Sequence, residues 1–244
     1  MYLSMKTNYQ IEIVLKIEPY SSEDRLSKDN AALVMIDHQT GLLSACTDIP
    51  VERLRHNIIG LAKIAKLFEL PVVLTQGGYG GLNAGGPLIA ELTEIFPDTL
   101  IIDRHHPNAF DDPNFRAAIE ATGRKKLILA GCTFDYCCAL PALNLSAEGY
   151  DVYAVVDASG NWDALTTQAT MIRLAHHGVE IINWIAVWGE LYRDHNSEME
   201  QKVMGVMAQH MPGLGFVTNN WMFANGMYPD ISSRLKRDEQ PPQQ

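Results

Sequence analysis

KLILAGCTFDYCCALPALNLSAEGYDVYAVVD, residues 126–157, is the stretch whose reading decides the fold. An apolar run (KLILAG, 126–131), a helical pattern over 135–148 and a second apolar run (VYAVVD, 152–157) make one β–α–β unit. Apolar residues at consecutive positions in both runs predict strands covered on both faces, as in a parallel sheet flanked by helices. Outward from this unit the alternation continues. Toward the N-terminus lie ALVMID (32–37), VVLTQ (72–76) and TLIID (99–103), with helical patterns over 51–68, 87–95 and 112–122. Toward the C-terminus come a helical pattern over 164–177, the run EIINW (180–184) and a last helix over 190–210. Six such strands predict an α/β domain over 31–222: three layers, doubly wound, with a six-stranded parallel sheet of Rossmann-like order.

The flanks read differently. QIEIVLKIE (10–18) has the period of a half-buried strand and precedes a polar linker, so 1–30 is read as an N-terminal arm. Residues 223–244, ending SSRLKRDEQPPQQ, are read as a polar C-terminal tail. An unpartnered strand in the arm would be a liability in water, which predicts a homo-oligomer.

Of the 244 residues, 47% are hydrophobic and 20% charged, which is ordinary globular usage. With 19 basic against 29 acidic residues the net charge is −10, and the basic ones form no stripe, so a nucleic-acid partner is not expected. No apolar run approaches the roughly 18 residues needed to span a bilayer, and Lys6, Glu12, Lys16 and Glu18 interrupt any signal-like start. The four cysteines lack disulfide or zinc spacing, so reduced thiols, no membrane partner and a cytoplasmic location are expected.

In an open doubly wound sheet, ligands lie outside the carboxyl ends of the strands. The residues there are Asp37-His38-Gln39, Gln76 with its glycine-rich loop, Asp103-Arg104-His105, Cys132 to Cys138, and Asp157 to Trp162. Cys137 falls in the first turn after a strand. Unpaired N–H groups and the helix dipole there favour a thiolate with a pKa below about 8.5, although a buried cysteine acting as a small hydrophobe fits the same position. Pro141 lacks the N–H that would bond the Cys137 carbonyl, so the helix is expected to kink beside that thiol. Asp37 ends a buried run, where a carboxylate is costly unless paired, catalytic or capping. Arg104 can stabilise anions but cannot act as a base, and a surface ion pair would also explain it.

The ordered pattern D37-H-Q-x-G-L-L43, L70-P-V-V-L-T75, F96-P-D98, R104-x-x-x-N-A-F-D111, A130-G-x-T-x-D-x-C137 and D157-A-S-G160 resembles the isochorismatase-like cysteine hydrolases. N183-W and E190-L-x-R-D194 are similar to the YcaC-type branch, and the resemblance covers about 27–225. It implies a catalytic triad of Asp37, Arg104 and Cys137, with arginine where the superfamily commonly has lysine. It implies a cis Cys132–Thr133 bond and an oxyanion hole from the backbone N–H groups of Thr133 and Cys137. The implied chemistry is a metal-independent attack of Cys137 on a small amide-like or carbonyl substrate. An acyl-enzyme thioester forms, with Asp37 moving the proton. The branch also implies ring-like homo-oligomers.

Nicotinamidases of the superfamily bind metal through Asp-x-His and a further histidine, but here that region reads QGGYGGLNAGGP (76–87), so no metal and no cofactor are expected. The same loop lacks the Lys-Ser or Lys-Thr of a P-loop, and Pro87 is read as the first residue of the next helix. His105-His106 and His176-His177 point apart as neighbours do and are not read as ligands. Trp184, Trp188 and Met204 to Met211 are read as core or subunit contact. Substrate specificity is expected from Gln76, Asn108, Phe110 and Trp162. Two other readings stand beside the leading one: a vinyl-ether hydrolase of the isochorismatase type, against which Cys137 speaks, and an oligomeric binding or assembly protein with a vestigial triad.

Overall fold

The computed structural model describes residues 2–6, 12–16, 25–78, 85–195 and 198–227. Six parallel strands form the sheet: β3 (Ala31–Ile36), β4 (Val72–Gly77), β5 (Ile101–Arg104), β6 (Lys126–Gly131), β7 (Asp151–Val155) and β8 (Glu180–Ile182). Their spatial order is β5-β4-β3-β6-β7-β8. The chain therefore winds outward both ways from β3 and β6, and the switch point lies between these two, the most deeply buried strands. Leu33 stands beside Val72 on one side and Ile128 on the other.

Strand alternation divides the core in two. Leu33, Met35, Leu74, Ile128 and Val155 face α2 (Val51–Leu67), α3 (Ala90–Ile95), α7 (Trp184–Leu191) and α8 (Glu200–His210). Val34, Ile36, Val73, Leu127, Leu129 and Ala154 face α4 (Pro113–Ala121), α5 (Ala139–Ala147) and α6 (Ala164–His176). Trp184 anchors the first layer: its indole N–H donates to Asn57 Oδ1 at 2.9 Å. A Cβ at Gly60 would come within 2.9 Å of its ring, so α2 can approach this tryptophan only with glycine there. Short α1 (Thr40–Ala45) and terminal α9 (Pro212–Ala224) complete the helices. Among the described residues no helix is long and apolar enough to cross a membrane.

Several boundaries differ from the sequence expectation. EIINW stops being strand at Ile182 because Asn183 caps α7, accepting from Ala186 N at 2.8 Å. VYAVVD ends at Val155, where Val156–Ala158 turns into a 3-10 helix. The third run is shifted to Ile101–Arg104, which brings Arg104 into the strand itself. The helix predicted over 190–210 is two: α7 ends at Leu191 and α8 begins at Glu200. Pro87 does not open α3, which starts at Ala90. Residues 85–89 instead lie against 38–41, with Thr40 N donating to Pro87 O at 2.9 Å and Ile89 N to His38 O at 3.0 Å.

In the arm, β2 (Glu12–Lys16) pairs antiparallel with β1 (Tyr2–Lys6), a partner the sequence reading did not supply. The tail beyond 227, the middle of the glycine-rich loop (79–84) and residues 17–24, which include the start of the linker, lie outside the described residues.

Candidate active site

The site forms where β3, β4, β5 and β6 end. Asp37 follows β3 in the left-handed region, φ 56°, a conformation few non-glycine residues adopt and one that Asp tolerates better than most. Its N–H donates to Thr75 O at 3.0 Å and its carbonyl accepts from Gln39 N at 2.6 Å, so neighbouring backbone holds the unusual geometry. The carboxylate is wholly buried, pairs with the Arg104 guanidinium and accepts from Thr75 Oγ1 at 3.0 Å. Arg104 is 3% exposed. Its other terminal nitrogen donates to the carbonyls of His106 and Pro107, the latter at 3.0 Å. A buried guanidinium is thereby paired with a carboxylate and both its terminal nitrogens have acceptors, while its Nε has none.

Beyond β6 the Cys132–Thr133 peptide bond is cis, and Phe134–Cys138 forms a π turn that runs into α5. The widened turn stands where a kink was expected from Pro141. Tyr136 N and Cys138 N both donate to Thr133 O, at 3.3 and 3.2 Å, and Phe134 N donates to Gly160 O at 2.9 Å. A Cβ on Gly160 would stand 2.5 Å from Leu54 and 2.6 Å from Cys46 Sγ, so glycine alone lets this segment approach so closely. The Thr133 N–H points at the Cys137 sulfur, and the Cys137 thiol donates to Asp37.

Burial is the largest influence raising the Asp37 pKa, opposed by Arg104 and the bonds from Cys137 and Thr75. Burial also pushes the Cys137 thiol up, reinforced by the charge and hydrogen bond of Asp37. Arg104 and the Thr133 N–H oppose it without prevailing. The expectation of a resting thiolate is therefore corrected: the turn favours the anion, but desolvation and an adjacent carboxylate outweigh it. At rest the proton sits on sulfur, beside a base strengthened by burial. Cys138 points away toward Ser159 and is pushed up to about 12 by burial. Cys132 is raised chiefly by its hydrogen bond with Cys46.

A family model, the isochorismatase domain, matches residues 31–186. The chain belongs to the isochorismatase family. Within it the chain falls in the YcaC branch: it is 40% identical over 189 residues to the probable hydrolase YcaC of Escherichia coli K12, covering 77% of this chain and 89% of that one. The E. coli YcaC crystal structure, described as an octameric hydrolase of unknown specificity, superposes with a TM-score of 0.80 at 35% identity, covering 85% of this chain and 100% of that one. A Pseudomonas aeruginosa YcaC structure, described as holding hexane-2,5-diol and covalent acrylamide, gives 0.77 at 37% identity, covering 81% and 96%.

The fold thus gathers Asp37, Arg104, Thr133 and Cys137 from this family's motifs. The four residues expected to shape specificity stand around the ends of β4, β5 and β7. Gln76 alternates with Thr75 and Gly77, so it projects from the face opposite Asp37. Asn108 accepts from Phe110 N and donates to Asn144 Oδ1 at 2.9 Å, tying the post-β5 loop to α5. Phe110 lies under the Arg116 guanidinium, 5.5 Å from its ring centre, and lines a separate surface cavity of about 560 Å³ with Ile119, Lys125 and Tyr150. Trp162 is half-exposed, its N–H on Asn161 Oδ1.

Gln39 is the buried glutamine beside Asp37. Its Oε1 accepts from Gly77 N at 3.0 Å and its Nε2 donates to Gly86 O at 2.6 Å, holding both stems of the glycine-rich loop. Sequence reasoning named it among the strand-end residues without a role, as it did Ser159, whose hydroxyl accepts from Gly131 N at 3.0 Å, while Thr75 entered only as part of a motif. Their signal was a polar residue closing a buried apolar run. Among the described residues no three His, Cys, Asp or Glu side chains converge as a metal site.

Proposed function

We propose that this protein is a cysteine hydrolase that opens a small amide or related carbonyl substrate through a Cys137 thioester. The observation that carries the reading is the buried chain of contacts from Arg104 to Asp37 to the Cys137 thiol, with the Thr133 N–H at the sulfur. Asp37 takes the thiol proton as sulfur attacks the carbonyl carbon, and the Thr133 and Cys137 N–H groups receive the oxyanion. Asp37 then protonates the leaving group and activates water against the thioester. No step uses a metal or cofactor. The covalent acrylamide described for the P. aeruginosa relative supports an electrophile-accessible nucleophile in this branch. A screen of small amides for ammonia release tests the reading. Turnover should be present in the parent and absent in Cys137→Ala, and equal turnover in both would defeat it.

The proposal includes a homo-oligomer in the cytoplasm. The octameric E. coli relative supports assembly, as do the exposed Phe216, Trp221 and Phe223 of α9. Four free, buried thiols suit a reducing compartment. Light scattering should give a multiple of 27.1 kDa; a monomer at micromolar concentration would refute the assembly.

A further inference from the structure

We infer that Gln39 is a positioning residue for the Asp37 base: its side-chain amide replaces the strand that ends at Ile36 and fixes the alignment of Arg104 on Asp37, an inference that rests on Cys137 being the nucleophile. Asp37 and Arg104 stand at the ends of strands that are not neighbours, because β4 runs between β3 and β5. With strands about 4.8 Å apart, the ion pair bridges two spacings, and its alignment depends on what lies between. The residue between is Gly77. It is the register partner of Arg104 and shares a sheet face with Thr75, whose hydroxyl meets Asp37. A Cβ on Gly77 would stand 3.5 Å from Asp37 Oδ2, so the carboxylate rests against this glycine.

β3 does not reach far enough to hold Gly77. Its register with β4 runs from Leu33 and Val72 to Ile36 and Thr75, and the next residue, Asp37, turns into the left-handed region. Two residues on, Gln39 makes good the loss. It is wholly buried; its Oε1 accepts from Gly77 N at 3.0 Å and its Nε2 donates to Gly77 O at 3.3 Å. One amide thus engages both backbone polar groups of Gly77, as an adjoining strand would. The same Nε2 donates to Gly86 O at 2.6 Å, and a Cβ on Gly85 would come 2.7 Å from it, so glycine there leaves the amide its room. The Gln39 backbone N–H donates to Asp37 O at 2.6 Å, and beyond Gly77 the Gly78 N–H donates to Arg104 O at 2.9 Å. A run of hydrogen bonds therefore ties the Asp37 backbone to the Arg104 backbone, alongside the ion pair that their side chains make.

The consequence is electrostatic. The groups facing the Asp37 carboxylate are Arg104 from β5, Thr75 from β4 and the Cys137 thiol from the π turn, while His38 is turned to Ala158 O. Burial raises the Asp37 pKa and the guanidinium opposes it. Loosening the guanidinium leaves burial less opposed, so Asp37 should take up its proton at higher pH.

Iodoacetamide capture at Cys137, followed by peptide mass spectrometry between about pH 5 and 8, tests this. The reagent forms an S–CH2 bond and expels iodide, the thiol proton passing to Asp37 and on to solvent, so the acid limb of the rate reports the carboxylate. Gln39→Met has similar length and makes none of these hydrogen bonds. It should slow capture at the plateau about tenfold and move the acid midpoint up by about one pH unit, the low end of what an opposite charge contributes. Gln39→Glu keeps the acceptor for Gly77 N and loses both donated bonds. Its midpoint should move the same way, and it carries the test if circular dichroism shows the Met variant unfolded. In an Arg104→Lys background, where the guanidinium plane is already gone, Gln39→Met should cost less than about threefold, because both changes act on one alignment. A midpoint that stays at the parental pH in the folded variants overturns the inference and leaves Gln39 a structural residue. The full tenfold loss in the Arg104→Lys background also overturns it. Absence of capture at Cys137 in the folded parent withdraws the nucleophile and the inference together.

Discussion

At the carboxyl ends of β3, β5 and β6 the chain buries an ion pair, whereas between α2 and α8 it sets a buried imidazole, His210, against a half-buried one, His56. In the first place Asp37 and Arg104 face each other, with Thr75 and two backbone carbonyls as further partners, and the guanidinium opposes the burial that raises the Asp37 pKa. In the second, His56 and His210 meet Nδ1 to Nδ1 at 3.2 Å beside a cavity of about 570 Å³ lined by Glu52, Asn57, Asp157, Trp184 and Leu214. Burial, aided by Lys63, His56 and Arg55, holds His210 down to about 4. With cationic neighbours adding to burial, that imidazole is held toward its neutral form. The difference teaches where chemistry can be kept: a buried charge persists only where an opposite charge is built in beside it, and elsewhere the group surrenders its charge.

The largest test of this contrast is Asp37→Asn. Asparagine tolerates the left-handed backbone at this position, so circular dichroism should show a folded protein. Iodoacetamide capture at Cys137 should fall about 10²- to 10⁴-fold, the usual worth of a positioned base. Capture at the parental rate would remove Asp37 from the proton path.

Acid should then separate the two regions. His38 and His210 have folded pKa values of about 4 against 6.5 in the free side chain, so the unfolded chain takes up protons first. Their contribution to stability is complete above about pH 6.5 and is lost as pH falls toward 4. For the fully buried His38 the loss is about 3 kcal/mol at the acid end. Thermal melts between about pH 7 and 4.5 should show Tm falling. His210→Gln should flatten part of the slope, and the part due to His38 should remain. A slope identical in the variant would mean that His210 titrates normally.

Arg104→Lys sharpens the comparison at smaller scale. One ammonium cannot hold Asp37 and two carbonyls in the guanidinium's fixed plane, so charge survives while geometry does not. Losing charged hydrogen bonds worth about 1.5–3 kcal/mol should slow Cys137 capture about 10- to 100-fold. An unchanged rate would show that charge alone is what Asp37 needs.

The smallest effect is expected at the neighbouring thiol. Cys138 faces Ser159, one residue further around the π turn than Cys137. Cys138→Ser should therefore leave capture at Cys137 near the parental rate, as peptide mass spectrometry would record. Loss of capture would mean that the two thiols act together.

What could be read before folding and what could not follow from the range of each interaction. The runs at 32–37, 72–76 and 126–131 declare themselves because burial on both faces leaves consecutive apolar residues. The break at Asn183 was missed because one capping side chain outweighs an apolar run that otherwise continues. Arg104, Asp37 and Cys137 were legible as ionisable or nucleophilic residues at strand ends. Gln39 was not, because its importance lies in Gly77 and Gly86, far along the chain but within hydrogen-bond reach.

By itself, then, the sequence determined six parallel strands, the two-faced core and the motifs that end β3, β5 and β6, since periodicity, apolar runs and residue chemistry are local properties. Only the tertiary structure decided that the Cys137 proton stays on sulfur at rest, that Arg104 is spent on Asp37 and two carbonyls, and that Gln76 faces away. The first two depend on desolvation and on Asp37 meeting Arg104 and Cys137, 67 and 100 positions along the chain, which no local pattern encodes; the third depends on which face of β4 the packed sheet turns toward Asp37.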